Sequence, residues 1–333
     1  MSHFDLTVHN EIFNKPDRIK EPVSWAGHIP FVFFLVNLIR PDLIVELGVH
    51  TGNSYNVFCQ AVKDMHLETR CYGIDTWEGD EHAGYYGEDI YNELLQYQQK
   101  KYREFSSLLK MTFDQALHNF SDQSIDILHI DGCHTYGAVK HDFQAWLPKV
   151  SAGGVILLHD ICVREKDFGV WRLWEEIKES YPTIEFNHSH GLGIMFNGVH
   201  SENVRAFLEQ FRTNSFYRVM FESIGEKPLL FMEIEQKSKE IKELNRNLKE
   251  QASHIELQNQ TINNQVAESE RKDHLIEQYN QAIKNKDEHL EELSHAVEYK
   301  DNLFNEVINS SSWKITAPLR HLGLMARKLL KRV

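Results

Sequence analysis

The sequence predicts an α/β domain with a doubly wound, mostly parallel sheet, followed by a long α-helical coiled coil and a short basic amphipathic helix. Short β-branched runs alternate with amphipathic stretches over the first 230 residues. Acids and histidines follow the ends of these runs. Glycine and proline are absent between Pro228 and Pro318. We therefore expect an α/β head over residues 1–230, a coiled coil over 231–310 and a basic tail over 311–333.

The composition narrows the function classes. Of 333 residues, 41% are hydrophobic and 26% are charged, which excludes a polytopic membrane protein, a collagen-like chain and a fully disordered one. The net charge of −13 argues against a nucleic-acid partner. No secretory signal and no spanning segment are visible. The four cysteines are widely separated, as in a reducing compartment, so we expect a cytoplasmic location: Cys59, Cys71, Cys133 and Cys162.

The elements of the head follow from the alternation of apolar runs and helical stretches. The predicted strands are 43–45, 70–75, 108–112, 125–131, 154–160, 183–187 and 193–196. The predicted helices are 53–65, 89–101, 114–120, 136–146 and 170–180. In a doubly wound sheet of this order, ligands bind beyond the carboxyl ends of the strands.

The loop after the first strand predicts a cofactor site. It reads Glu46-Leu47-Gly48-Val49-His50-Thr51-Gly52 and opens a helix. Gly48 and Gly52 let the backbone approach a ligand closely, and Glu46 can accept hydrogen bonds from a cationic or hydroxylated ligand. The GxxxG spacing is not the triple-glycine loop of a dinucleotide site. We expect Glu46, Gly48, Thr51 and Gly52 to bind the cofactor; a purely structural turn is the alternative.

The second strand ends in an acid. Asp75, followed by Thr76, stands about 30 residues after the loop. A carboxylate at this place can accept hydrogen bonds from both ribose hydroxyls of a nucleoside. Because two acids end neighbouring strands, Asp75 and Thr76 are predicted to bind a cofactor together with the glycine loop.

Strands four and five end in further acids and histidines. Asp131, His159 and Asp160 could hold one divalent cation through two oxygens and a nitrogen. Alternatively, Asp131 orders the cofactor and Asp160 caps the next loop. His134 could be the general base that removes a hydroxyl proton, because an imidazole titrates near neutral pH; a structural histidine is the alternative. We expect Asp131 and His134 to be the catalytic residues.

The segment 231–310 predicts a coiled coil. With position a at Ile234, seven-residue steps reach Phe304, and ten of the eleven a positions are apolar. Most d positions are Gln or Lys. Such a helix needs partner helices, so we expect a homo-oligomer, dimeric or trimeric, with a rod about 110 Å long. A single charged helix or a disordered spacer is the alternative.

The segment 311–333 has a different character. From Trp313 onward it contains six Lys or Arg residues, no acid and interleaved apolar residues. This pattern predicts an amphipathic helix that binds an anionic membrane surface, here the inner face of the cytoplasmic membrane, or a protein partner. A segment that packs on another subunit is the alternative.

Longer runs carry a family resemblance. They are residues 75–84 (DTWEGDEHAG), 129–142 (HIDGCHTYGAVKHD), 146–149 (WLPK), 168–174 (FGVWRLW) and 188–193 (HSHGLG). Together, residues 20–200 resemble the methyltransferase-24 type of class I S-adenosylmethionine-dependent methyltransferases. Such domains are often attached to glycosyltransferases or encoded with surface-polysaccharide genes. Residues 311–320 (SSWKITAPLR) are similar to a C-terminal segment that recurs in polysaccharide-assembly proteins.

The resemblance implies a Rossmann-like fold, S-adenosylmethionine as methyl donor, and a sugar or other hydroxyl as acceptor. Related sugar methyltransferases hold a divalent ion, here expected to be magnesium, with acids that map onto Asp131 and Asp160. One departure is His159, which stands where those relatives tend to have a second adjacent acid. A scaffold with a weakly active or inactive head is the alternative. The joint presence of Glu46, Gly48, Gly52 and Asp75 favours a functional cofactor site.

Overall fold

The computed structural model describes residues 4–80, 82 and 84–330. The chain divides between residues 240 and 241 into two compact units. The strands of the main sheet are β1 Leu43–Leu47, β2 Arg70–Asp75, β3 Ser106–Lys110, β4 Ile125–Ile130, β5 Val150–His159, β6 Thr183–Phe186 and β7 Leu192–Phe196. The helices are α1 Ile29–Ile39, α2 Asn53–Asp64, α3 Glu88–Lys101, α4 Phe113–Ala116, α5 Tyr136–Trp146, α6 Val170–Ser180, α7 Glu202–Thr213, α8 Phe216–Asn309, α9 Ser311–Ile315 and α10 Ala317–Leu330.

The main sheet has the strand order β3-β2-β1-β4-β5-β7-β6. The first five strands of this order pair in parallel, and β7 runs antiparallel to both of its neighbours. The strand order reverses between β1 and β4, which is where doubly wound sheets bind ligands. The predicted fold class, a Rossmann-like mostly parallel sheet followed by a long helix, is confirmed.

Helices cover both faces of this sheet. Ile44 of β1 belongs to an apolar cluster with α1, α2 and α7. The next residue, Val45, belongs to a second cluster with α5 and α6. Because successive strand residues point to opposite faces, both faces of β1 are buried, and its run of apolar residues has no polar alternation.

Two helices of the head were not predicted. α1 is apolar on all sides, and eight of its eleven residues are buried. A helix of this kind has no amphipathic stripe, so periodicity alone does not distinguish it from a buried strand. The second is α7, which packs its apolar residues Val204, Phe207 and Phe211 into the same cluster as α1.

The long helix begins earlier than the heptad pattern. α8 starts at Phe216, well before Ile234, and continues through Gly225 and Pro228. A Cβ atom at Gly225 would lie 2.2 Å from the carbonyl oxygen of Gly27, so glycine permits this close contact with the segment before α1. The expected boundary at residue 230 therefore lies inside a helix, and the two compact units divide ten residues later.

The predicted basic tail is helical in α9 and α10. Of the residues in the sequence predictions, Glu81 and Ala83 of the 75–84 run lie outside the described residues, as do Lys331 and Arg332 of the tail. The side chains of Lys328, Leu329 and Leu330 are not described either. Across the described ranges, every helix is too short or too polar to cross a bilayer.

Candidate active site

A cavity of about 560 Å³ opens beyond the carboxyl ends of β1, β2, β4 and β5. It is lined by eight residues that the sequence predicted for the site: Gly48, Thr51, Asp75, Thr76, Asp131, His134, His159 and Asp160. The two other predicted residues, Glu46 and Gly52, do not line it. The strand ends thus bring the predicted cofactor loop and the predicted acid and histidine group into one space.

Asp75 fixes the shape of the glycine loop. Its Oδ2 accepts hydrogen bonds from the backbone N–H groups of Val49 and His50, both at 2.9 Å. Its Oδ1 accepts from the N–H of Trp77 at 2.7 Å. A carboxylate offers about four acceptor positions. Three of them hold the protein backbone, so about one remains, on Oδ1, for a ligand hydroxyl.

The two glycines of the loop have different roles. Gly48 has φ +86°, and a Cβ there would lie 2.1 Å from the carbonyl oxygen of Asp131. This contact brings the ends of β1 and β4 together at the cavity. Gly52 has φ +80°, and a Cβ there would lie 2.6 Å from a methyl carbon of Leu94 on α3. Gly52 therefore permits helix packing behind the loop rather than approach of a ligand.

Glu46 is fully buried behind the cavity wall. Its Oε1 accepts a hydrogen bond from Ser54 Oγ at 2.6 Å, and its Oε2 lies 3.2 Å from His129 Nδ1. The indole N–H of Trp25 donates to His129 Nε2 at 3.3 Å, so the imidazole proton faces Glu46. Burial raises the pKa of Glu46, and the His129 contact opposes this rise. Since Trp25 and Ser54 line the cavity, Glu46 positions its wall from behind.

Asp131, His134 and Asp160 form the tightest polar group in the cavity. One potential metal-ligand atom from each lies within 4.8 Å of the other two. His134 Nε2 is 2.9 Å from Asp160 Oδ2 and 3.5 Å from Asp131 Oδ1. Neither nitrogen of His134 makes a hydrogen bond with correct geometry in the described part of the chain. The donor set of two carboxylates and one imidazole fits a divalent cation.

His159 lies beside the group of Asp131, His134 and Asp160. Its Nε2 donates to the carbonyl oxygen of Ser189 at 2.9 Å, while Nδ1 lies 3.4 Å from Asp131 Oδ1 and 3.5 Å from Asp160 Oδ1. Because the Ser189 carbonyl oxygen holds Nε2, only Nδ1 of His159 faces the carboxylates of Asp131 and Asp160. The candidate metal group therefore contains His134 where the sequence suggested His159.

The carboxylates control the protonation of both histidines. Burial lowers the pKa of His134, but Asp131 and Asp160 outweigh it and raise the pKa to about 10. The same opposition raises the pKa of His159 to about 9. Burial raises the pKa of Asp131, yet the two histidines hold it well below its ordinary value. His134 is therefore protonated at neutral pH in this arrangement, and it can serve as a base only when another cation neutralises the carboxylates.

Parts of the cavity wall were not foreseen. Pro22, Ser24 and Trp25 of the N-terminal segment line it. Asn53 holds this segment: its amide donates to the carbonyls of Lys20 and Pro22, and its Oδ1 accepts from the Lys20 N–H at 2.8 Å. The segment has no hydrophobic periodicity that predicts a helix or a strand. The only local signal in its sequence is a proline close to a tryptophan, Pro22 and Trp25.

Two further segments, which contain His82 and His190, lie at the cavity. His82 lies between the short strands Gly79–Asp80 and Gly84–Tyr85. The distance from its Nε2 to Asp167 Oδ1 is 2.6 Å. His190 Nδ1 is 3.1 Å from Asp160 Oδ1. Phe168, which was not singled out as a site residue, stacks on His134 with ring centroids 4.8 Å apart.

Part of this chain is similar to a known protein family. Residues 45–161 match the methyltransferase-24 family, described as a methyltransferase domain. The resemblance predicted over residues 20–200 is confirmed for this part. A protein of Sinorhizobium fredii, described only as uncharacterized, is 46% identical over 194 residues, which are 58% of this chain and 21% of that protein. This chain thus spans about a fifth of the length of that relative.

Solved structures with similar folds include several methyltransferases. One is a candidate caffeoyl-CoA O-methyltransferase from Staphylococcus aureus, with 15% identity, a TM-score of 0.42, and coverage of 54% of this chain and 86% of that one. Another is TomG of Streptomyces achromogenes, an O-methyltransferase of tomaymycin synthesis solved with S-adenosylmethionine; it has 13% identity, a TM-score of 0.40, and coverage of 54% and 92%. We base the fold assignment on the strand order of this chain itself.

Proposed function

We propose that this protein is an S-adenosylmethionine-dependent O-methyltransferase that acts on a sugar hydroxyl in bacterial surface-glycan biosynthesis. The observation that carries the proposal is the shared cavity, in which the Asp75-bound glycine loop faces the group of Asp131, His134 and Asp160. The methyltransferase-family match over residues 45–161 supports the reaction class. The sugar acceptor rests on the sequence resemblance alone.

The cofactor would lie along the loop between β1 and α2. The remaining acceptor position of Asp75 suits a ribose hydroxyl, and Gly48 lets the end of β4 lie close to the loop at the cavity. Thr51 and Thr76 line the same part of the cavity. In the reaction the acceptor oxygen attacks the methyl carbon, the bond from carbon to sulfur breaks, and the hydroxyl proton leaves. The products are a methyl ether, S-adenosylhomocysteine and a proton.

Asp131, Asp160 and His134 are the residues that would hold a divalent cation such as magnesium. When bound, such an ion would supply Lewis-acid stabilisation to the acceptor oxygen. The protein's own task is alignment. Asp131 and His134 place this group beside the space for the acceptor hydroxyl, and Phe168 fixes the imidazole plane by stacking. His159 holds the two carboxylates in place from the other side.

Calorimetric titration with S-adenosylmethionine tests the cofactor assignment. We expect the wild-type protein to bind it and Asp75→Ala to bind about tenfold to a hundredfold more weakly, because lost hydrogen bonds and unpaired groups cost about 1–3 kcal/mol. Asp89→Ala, at an exposed aspartate of α3, is the matched control and should bind normally. No binding by the wild-type protein would favour the alternative of a scaffold with an inactive head.

We further propose that the helix beyond residue 240 assembles as a homo-oligomeric coiled coil. In the single chain its apolar a positions are between 54% and 61% exposed: Ile241, Leu248, Ile255, Ile262, Ile276, Ile283, Leu290, Val297 and Phe304. Such a continuous apolar stripe is stabilised by burial against other helices.

The tail is proposed to bind the inner face of the cytoplasmic membrane. Leu319, Leu322 and Met325 of α10 are all more than 60% exposed. Arg320 stacks on the Trp313 ring, 3.5 Å from its centroid, and the segment contains no acid. An aromatic anchor, an apolar face and cations suit an anionic leaflet. A glycosyltransferase is the alternative partner.

A further inference from the structure

The coiled-coil seam of α8 contains two regular polar series. In the heptads that begin at Ile241, three consecutive d positions are glutamines: Gln251, Gln258 and Gln265. Further along, a Lys-Asp pair fills positions d and e at intervals of fourteen residues: Lys272-Asp273, Lys286-Asp287 and Lys300-Asp301. All of these side chains are exposed in the helix. Fourteen residues are two heptads, so each pair returns to the same edge of the seam.

Most of the charges in the second series have no partner among the described residues of their own chain. Lys272 Nζ lies 2.7 Å from Glu268 Oε1, one turn earlier. Within the described ranges, Lys286, Lys300 and the three aspartates make no hydrogen bond or ion pair. The periodic charges are therefore open to a neighbouring helix.

We infer that residues 241–309 pair with a second copy of themselves as a parallel, in-register, two-stranded coil. This inference rests on the coiled-coil assembly proposed above and names its partner and register. In such a coil, a d residue faces the same residue of the other copy and lies beside its e residue. Each glutamine layer is then self-complementary, because an amide both donates and accepts. Each lysine at d lies beside an aspartate at e of the other copy.

Other arrangements lose these matches. An antiparallel pair places d opposite a, which sets glutamines against isoleucines and moves the aspartates away from the lysines. A third strand encloses the d positions more completely. In a dimer, the lysine stem can cover the seam while the ammonium group reaches the rim and water. The polar series therefore favours two parallel strands.

Mixing two charge-swapped full-length proteins tests the register. The first variant carries Lys272→Asp, Lys286→Asp and Lys300→Asp, and the second carries Asp273→Lys, Asp287→Lys and Asp301→Lys. Each variant alone places like charges at d and e of its seam. Mixed together, they restore an opposite charge at every such contact. Native mass spectrometry with tags of different mass counts homodimers and heterodimers, and no cofactor is needed.

We expect each variant alone to dimerise more weakly than the wild type, and the mixture to give almost only heterodimers. The control carries Glu277→Lys, Glu291→Lys and Glu298→Lys at b positions outside the seam. When this control is mixed with an equal amount of wild type, heterodimers should make up about half of all dimers, as random pairing gives. A monomeric wild type would overturn the coiled coil itself. A wild-type trimer, or a dimer whose charge variants mix statistically, would overturn the proposed register. Energy transfer between labels placed at the same end of the helix should be strong, and its absence would establish an antiparallel pair.

Discussion

Asp142 gives a prediction for stability that does not depend on the proposed reaction. This residue of α5 is only 7% exposed, and its carboxylate makes no hydrogen bond within the described part of the chain. Burial raises its pKa from 3.8 to about 6, with Asp114 adding to the rise and His141 opposing it. At 1.36 kcal/mol per pKa unit, this difference corresponds to a penalty of about 3 kcal/mol for the charged form in the folded state.

The sign follows from this raised pKa. Below about pH 4 the carboxyl is protonated in both folded and unfolded states, so it costs nothing. As the pH rises to about 6, the unfolded state loses its proton first and the free energy of unfolding falls. Above about pH 6 the full penalty is present. Asp142→Asn removes the titration, so we expect the variant to be up to about 3 kcal/mol more stable than wild type at pH 7.5 and nearly equal to it at pH 4.

Urea unfolding of the full-length protein, followed by tryptophan fluorescence at several pH values, measures this difference. Trp146 lies one turn from Asp142 and is fully buried, so it reports on the same helix. The matched control is Asp89→Asn, at an exposed carboxylate of α3, which should show no such gain. A variant that is less stable at pH 7.5, or a difference that does not change with pH, would refute the argument that burial without a hydrogen-bond partner controls this group.

Three further changes have defined outcomes. Gly48→Ala should lower the free energy of unfolding by at least about 2 kcal/mol, because a Cβ there would sit at a positive φ and overlap the backbone of Asp131. Gly137→Ala is the control: a Cβ there meets no atom within 4 Å, so the free energy of unfolding should rise by about 0.5–1 kcal/mol. Equal effects of the two substitutions in urea unfolding would contradict the packing at Gly48. Asp160→Asn should weaken manganese or magnesium binding by more than tenfold in calorimetry, and unchanged binding would remove this residue from the metal group. Truncation after Ser310 should abolish co-sedimentation with anionic vesicles while the oligomer persists; binding that survives truncation would exclude the tail as the anchor.

The sequence predicted the fold well where apolar runs end in polar residues. The bounds of β2, α5 and α6 agree with the expectation. α1 was missed because an apolar run without polar interruption carries no period. The start of α8 was missed because a proline usually interrupts a helix. Here Pro228 is buried inside α8, and the surrounding packing supports the helix through it.

The site was predicted less completely, because strand ends identify residues but not the direction of their side chains. Glu46 lies one residue before the end of β1, and the alternation along the strand turns its side chain inward, against Ser54 and His129. His159 and Asp160 are adjacent, so they cannot reach the cavity in the same way. His134 reaches the carboxylates because its loop returns from β4 towards Asp160. That return depends on tertiary contacts such as the Phe168 stack, which no local pattern reveals.

The order of strands in the sheet has a practical consequence for recombinant fragments. A minimal piece cut at residues 45–161, the extent of the family match, would omit α1 and β7. It would also lack Trp25, which partners His129. Without β7, β5 becomes an unprotected edge whose backbone groups can pair with other chains, and without α1 one face of the sheet loses part of its apolar cover. We therefore expect a fragment of residues 45–161 not to fold on its own, and fragments for crystallisation or screening should begin near the amino terminus and extend past α7.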